Sequence, residues 1–359
     1  MAIEFSQRIS RIPVYPVAGG YAQDDLVKLA SNESPFAPLP EVREAVEAAL
    51  GGLNRYPDPS NSVLRARLAG RYGVSPSRIA IGNGSCDILL AAGEAVLEPG
   101  AELVYAWPSF SVYPHLGAAS GARAITVPLD ERERHDLPAM LREITVATRL
   151  AIVCNPNNPT STAVTLAEIE AFLDEVPAHV CVILDEAYCD FNVLDDPDAT
   201  IELLPRHPNL VLLRTFSKVH GLCGLRVGFA LCGSEDLPRA LDQVRQPFFC
   251  NALAQAAATE ALGHEDAVID RVTRTIAERI SMDERLQALG LQVAESQANF
   301  CWVKLGEERD EQQILDGLAQ RGVLVRGGGA LGSEVPAMRV TYGLPEENER
   351  FLQALAELL

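Results

Sequence analysis

Residues 180–188 read Val180-Cys181-Val182-Ile183-Leu184-Asp185-Glu186-Ala187-Tyr188. Its five opening apolar residues have the length of a strand, and the unbroken run leaves no polar face for solvent. Leu150-Ala151-Ile152-Val153-Cys154 and Leu210-Val211-Leu212-Leu213 have the same form. Between Cys154 and Val180 lies Thr165-Leu166-Ala167-Glu168-Ile169-Glu170-Ala171-Phe172-Leu173, an amphipathic helical pattern with Thr165 placed to cap it. Buried strands separated by helices predict an α/β fold, with a mostly parallel central sheet and helices on both faces. In such sheets the functional side chains sit just beyond the carboxyl ends of the strands.

On the N-terminal side, residues up to about Leu29 lack clear periodicity and contain Pro13, Pro16, Gly19 and Gly20, which predicts an arm laid over the surface or over a partner subunit. Helices are expected over Glu41–Leu50, stopped by Gly51-Gly52, and over Ser60–Tyr72, stopped by Gly73. Beyond about residue 260 the pattern changes. A long helix over Ala267–Leu289 leads to a strand in Asn299–Leu305, a helix around Ile314–Leu318, short strands near Val323–Val325 and Met338–Thr341, and a closing helix from Glu346. These read as a smaller α+β domain. The chain has 359 residues, beyond the roughly 250–300 at which one core stops growing, so two lobes are expected.

Composition removes several functions. With 30 Lys+Arg against 49 Asp+Glu, the formal charge is −19, and without a basic run this excludes binding to nucleic acid or to an anionic membrane. The opening residues Met1-Ala2-Ile3-Glu4-Phe5-Ser6-Gln7 carry no basic or apolar leader pattern, and no apolar run reaches the ~18 residues needed to span a bilayer. The 8 cysteines form no C-x-x-C pair and have no histidine at ligand spacing, which argues for buried thiols in a cytoplasmic protein and against disulfides or a metal site.

Three strand ends carry the chemistry. Cys154 is followed by Asn155-Pro156-Asn157-Asn158-Pro159-Thr160, Leu184 by Asp185-Glu186-Ala187-Tyr188, and Leu213 by Arg214-Thr215-Phe216-Ser217-Lys218. Singly, each has a plain explanation: a solvated lysine, a capping aspartate, an Asn-Pro turn. Together, an amide, a carboxylate, a phenol and a lysine at neighbouring strand ends fit a pyridoxal phosphate pocket. A lysine amine forms the Schiff base there, and an acid keeps the pyridine nitrogen protonated. The phosphate needs hydroxyls, a helix N-terminus and an arginine. Thr215, Ser217 and Arg226 flank Lys218, and Gly82-Asn83-Gly84-Ser85-Cys86-Asp87 opens an apolar helical run. A nicotinamide-dinucleotide site is a poorer fit, because Gly82-Asn83-Gly84 lacks the third glycine and its acidic partner.

Asn158 in N-N-P-T, Asp185 and Tyr188 in D-E-A-Y, and Lys218 with Arg226 in S-K-V-H-G-L-C-G-L-R resemble the fold-type I pyridoxal-phosphate aminotransferases. The resemblance is closest to the histidinol-phosphate aminotransferase group, which includes aromatic amino acid aminotransferases. Val27-Lys28-Leu29-Ala30-Ser31-Asn32-Glu33, Asn54-Arg55-Tyr56-Pro57-Asp58 and Ser296-Gln297-Ala298-Asn299-Phe300 stand in that group's order. The resemblance implies Lys218 as Schiff-base lysine and proton shuttle, Asp185 as partner of the pyridinium nitrogen, and Asn158 and Tyr188 as donors to the 3′ oxygen. Phe110 would stack on the ring. Ser85, Cys86, Thr215, Ser217 and Arg226 would face the phosphate, joined by Tyr56 from a neighbouring subunit, so a homodimer is implied. Arg339 matches the arginine for the substrate's α-carboxylate or equivalent end, and Arg326, with Tyr15 from the arm and Asn32, the anion site for a substrate phosphate. The implied division is an arm over 1–30, a large cofactor domain over 50–255, and a small domain built from 31–49 with 256–359.

The reaction this implies is a ping-pong exchange of an amino group between histidinol phosphate and 2-oxoglutarate, a step of histidine biosynthesis. The alternative is an aromatic amino acid donor, phenylalanine or tyrosine. Another pyridoxal phosphate reaction or a ligand-sensing module would use the same fold. Burial and the cation of Arg226 are expected to depress the Lys218 pKa. Four positions depart from the group's pattern: Ser161 where glycine is common, Cys86 where an acid is usual, and His220 and Cys223 near the lysine.

Overall fold

The computed structural model describes residues 3–14 and 25–359. Seven strands form the central sheet: β1 (Ile79–Gly82), β2 (Glu102–Trp107), β3 (Arg123–Pro128), β4 (Thr148–Cys154), β5 (Cys181–Asp185), β6 (Leu210–Thr215) and β7 (Gly228–Cys232). Their spatial order is β1-β7-β6-β5-β4-β2-β3, with β7 antiparallel to both neighbours and the other adjacent pairs parallel.

Alternation along the strands builds two cores. Val104, Ala151, Val153, Val182, Leu184, Leu210 and Leu212 enter one of them. Leu103, Tyr105, Leu150, Ile152, Ile183, Val211 and Leu213 enter the other. The continuous apolar runs are therefore explained, since every position of a doubly covered strand is inside. Thr165 caps the helix Leu166–Glu175 in a reciprocal box with Glu168.

A second, smaller sheet follows: β8 (Gln292–Val293), β9 (Phe300–Lys304), β10 (Arg326–Gly327) and β11 (Ala337–Thr341), ordered β10-β11-β9-β8 and antiparallel throughout. Its core gathers Met282 and Leu286 from the long helix Glu265–Ala288 and Phe351 and Leu355 from the last helix, Pro345–Ala356. Val27–Lys28 pairs with Val323–Leu324, and Leu29 enters this same core. The helix Pro40–Ala49, grouped by the sequence reading with the small domain, sinks Val42 into the large sheet's core and packs on the helix Ala252–Ala261. Among the described residues no helix is long and apolar enough to cross a membrane.

Candidate active site

Because β4, β5 and β6 are neighbours in register, with Cys154 opposite Asp185 and Asp185 opposite Leu213, the loops that follow them converge. They open onto a cavity of about 410 Å³, a size that suits a small molecule.

Lys218 stands on one wall. Its Nζ donates to Asn32 O at 2.9 Å and lies 3.5 Å from Ser31 O, while the ammonium is 5.4 Å from the centre of the Tyr188 ring. Burial pushes this amine down to about 8, helped by the charge of Arg339 and opposed by Cys223, Glu33 and Cys86. Depression was expected from burial and Arg226; burial is the largest cause and Arg339 the leading cation.

Asp185 is buried at the end of β5. Tyr113 donates its hydroxyl to Oδ2 at 2.8 Å, and the Ala187 amide lies 3.3 Å from Oδ1. Burial pushes the carboxyl up to about 6 against the pull of these donors.

The loop after β4 is held by its own side chains. Asn155 exchanges two hydrogen bonds with the main chain of Val164, at 3.0 and 2.9 Å. Asn157 accepts from Ser109 at 2.7 Å, pairs with His135 Nε2 at 3.1 Å, and donates to Thr160 at 2.8 Å. The Asn155-Pro156 and Asn158-Pro159 peptides are cis. Asn158, so fixed, accepts from Arg339 Nη1 at 2.6 Å and points its amide at Tyr188 Oη, 3.5 Å away. Asn32 donates to the same Tyr188 hydroxyl at 3.1 Å, and Arg339 Nη2 donates to Ala30 O at 2.6 Å.

The opposite end is built for an anion. Ser85 and Cys86 start the helix Ser85–Val96, whose first amides have no intrahelical acceptor. Gly84, at φ 83°, precedes them; a Cβ there would lie 2.6 Å from Arg226 Nη2, so glycine lets the guanidinium close in. Arg226 is itself left-handed, φ 60°, and donates to Cys223 O at 2.7 Å. Thr215 Oγ1 accepts from the Ser217 amide at 3.0 Å and donates to its hydroxyl at 2.9 Å. Phe110, Leu331 and Arg326 also line the cavity.

Of the residues singled out in the sequence, the cavity brings together Lys218, Asp185, Tyr188, Asn158, Phe110 and Asn32, the five anion-end residues and both Arg326 and Arg339. Tyr56 lies outside it, 81 % exposed and stacked on Phe248 with ring centres 4.3 Å apart. Tyr15 falls outside the described residues. Sequence reasoning missed Tyr113 as the partner of Asp185, Glu33 as a charge acting on Lys218, and the buried Ser109–Asn157–His135 network. Their only signal was position, Tyr113 shortly after Pro108-Ser109-Phe110 and Glu33 beside Asn32.

This donor set fits pyridoxal phosphate. An amine, a buried carboxylate, an amide with a phenol, and a cluster of amides, hydroxyls and one guanidinium occupy separate walls of one cavity, each matching a different part of that molecule. Comparison with known proteins agrees. A family model for aminotransferase class I and II matches residues 24–355. An aromatic amino acid aminotransferase of Thermobifida fusca is 47 % identical over 330 residues, 90 % of this chain and 88 % of the relative. A histidinol-phosphate aminotransferase of Geobacillus thermodenitrificans is 40 % identical over 339 residues, 94 % and 92 % of the two chains. Among solved structures, histidinol-phosphate aminotransferase from Sinorhizobium meliloti in complex with pyridoxal-5′-phosphate superposes with a TM-score of 0.88 at 29 % identity, over 100 % of this chain and 98 % of that one.

Proposed function

The chain belongs to the class I and II aminotransferases, enzymes that work with pyridoxal phosphate, and on that premise we propose that it moves an amino group from an aromatic amino acid to a 2-oxo acid. The observation that carries the aromatic reading is the 47 % identity to the Thermobifida fusca enzyme against 40 % to the Geobacillus thermodenitrificans one. It reverses the order of preference drawn from the motifs alone. The apolar side chain of Leu331, which lines the same cavity as Arg339, is consistent with a ring-bearing donor.

Bound in this cavity, pyridoxal phosphate supplies a carbonyl carbon that accepts amines and a ring that withdraws electrons. Lys218 is the nucleophile toward that carbon and the group that holds and moves the substrate proton at Nζ. Its depressed pKa keeps part of the population neutral near pH 8. Asp185 pairs with the ring nitrogen, Asn158 and Tyr188 donate to the ring oxygen, and Phe110 lies against the ring. Ser85, Cys86, Thr215, Ser217 and Arg226 bind the phosphate, with Tyr56 reaching it from a second copy of the chain in a homodimer. Arg339 binds the α-carboxylate common to donor and acceptor. The eight free thiols favour a reducing compartment, the cytoplasm.

Histidinol phosphate is the second reading. Arg326 favours it, since it lines the cavity and pairs across the sheet with Arg339, where it would meet the substrate phosphate. The deciding measurement is kcat/KM for L-phenylalanine and for L-histidinol phosphate, with 2-oxoglutarate as acceptor, in wild type and Arg326→Ala. A preference for phenylalanine of about tenfold or more, left in place by Arg326→Ala, is the expected outcome. A preference for histidinol phosphate that disappears in Arg326→Ala would install the second reading.

A further inference from the structure

Glu133 sits in the turn Asp130–Arg134 with φ 60°, a left-handed conformation that glycine adopts freely and glutamate does not. Such a conformation persists only where the surroundings determine it from several sides. Here they do. The main-chain carbonyl of Glu133 accepts from Thr160 Oγ1 at 2.9 Å and from Thr162 Oγ1 at 2.6 Å. Both threonines belong to the loop that carries Asn158. Its carboxylate Oε1 accepts from Trp302 Nε1 and meets Lys304 Nζ, each at 3.2 Å, on β9 of the small sheet. Trp302 is the cross-strand partner of Arg339, so the two side chains share a face. Arg339 in turn donates to Asn158 Oδ1 at 2.6 Å.

The contacts close a circuit: Asn158, Thr160, Glu133, Trp302, Arg339 and back to Asn158. Glu133 ties the cofactor loop to the small sheet alongside Arg339 itself and Gln297, whose amide, between β8 and β9, donates to Ser161 O at 2.7 Å. The Glu133 tie runs beside a cleft of about 350 Å³ lined by Arg132, Thr162, Glu295, Gln297 and Lys304. A further nearby link, Arg132 with Glu295 at 2.6 Å, joins two side chains that are each 64 % exposed, where ion pairs hold little.

We propose that Glu133 is a positioning residue that sets the placement of Arg339 against Asn158, and through it the affinity of the enzyme for the substrate carboxylate. The inference rests on Arg339 as the carboxylate site. It predicts an effect on both half-reactions, because donor and acceptor present the same group to the same arginine.

Glu133→Gly is the informative variant: glycine accepts φ 60° without strain and keeps the carbonyl that the threonines use, so only the carboxylate tie is lost. In the holoenzyme it should raise KM for L-phenylalanine and for 2-oxoglutarate each by about tenfold while kcat changes less than about threefold. The Kd for 3-phenylpropanoate, a carboxylate without an amine, should rise in parallel when read from the absorbance of bound cofactor. Glu133→Gln, which still accepts from Trp302, should recover part of the loss, and Arg132→Ala should change neither constant. Unchanged KM and Kd in Glu133→Gly, alongside a large rise in Arg339→Ala, would overturn the role of Glu133 and leave that of Arg339 standing. Unchanged constants in Arg339→Ala would overturn the carboxylate assignment itself, and the inference with it.

Discussion

At the scale of single residues, Asp185 shows function set against stability. Its folded pKa is raised to about 6 by burial, above the value of about 4 for an exposed aspartate. A raised carboxyl binds more protons folded than unfolded between those values, so folding stability falls as pH rises from about 4 to 6 and the penalty stays in force at neutral pH. A cationic ring nitrogen is the partner that would remove it. Asp185→Asn keeps the shape, removes the charge and still accepts from Tyr113. Freed of cofactor, this variant should be more stable than wild type at pH 7 by about 1–3 kcal/mol, with the difference closing near pH 4, as followed by urea unfolding. Cofactor affinity should fall in the same variant. A cofactor-free wild type as stable as Asp185→Asn at pH 7 would contradict the penalty.

At the scale of elements, the loop Asn155–Thr162 holds one left-handed residue outside glycine. Ser161 has φ 61° and is fully buried, its amide donating to Asn157 O at 2.8 Å and its carbonyl accepting from the Gln297 amide at 2.7 Å. Both contacts use the main chain and survive substitution. The Ser161 hydroxyl adds one short local bond, to Thr160 O at 2.6 Å. Relief of a left-handed side chain by glycine is worth about 1–2 kcal/mol, more than one local hydrogen bond of about 1 kcal/mol. Ser161→Gly should therefore raise the thermal midpoint slightly and leave kcat unchanged, whereas Ser161→Val should lower it sharply. A lower midpoint for the glycine variant would show that the hydroxyl outweighs the strain. The same loop marks what sequence can reveal. The buried strands and the Thr165 cap were legible because each is a local pattern of period, run length or capping spacing. The reversed direction of β7, the Tyr113–Asp185 bond and the Glu133 tie were not, since each depends on partners well separated in the chain, as Thr215 is from Gly228 and Tyr113 from Asp185, or on a backbone angle that no residue type announces.

At the scale of the molecule, a surface of charge −19 encloses a cavity lined by Lys218, Arg226, Arg326 and Arg339, so the balance that excludes polyanions says nothing against small anions at the site. What keeps the site assembled is the long helix Glu265–Ala288. Its C-terminal half supplies Met282 and Leu286 to the small core. Its buried Arg279 donates to Phe191 O at 3.0 Å, beyond Tyr188. Its buried Arg271 donates to Val219 O at 3.0 Å, next to Lys218, and to Ala37 O at 2.6 Å, in the segment whose Asn32 carbonyl receives the lysine. One side chain thus joins the lysine's own loop, the strand of chain opposite it and the helix that runs into the small core. Arg271→Leu strands two main-chain carbonyls, one of them in a buried contact, and should cost about 2–4 kcal/mol in urea unfolding. Arg271→Lys, able to reach only one carbonyl at a time, should cost about half as much. Because the loosened loop carries Lys218, cofactor dissociation should accelerate in the same rank order, leucine above lysine above wild type. Equal dissociation rates in all three, with stability reduced, would mean that Arg271 holds the fold together without holding the lysine in place.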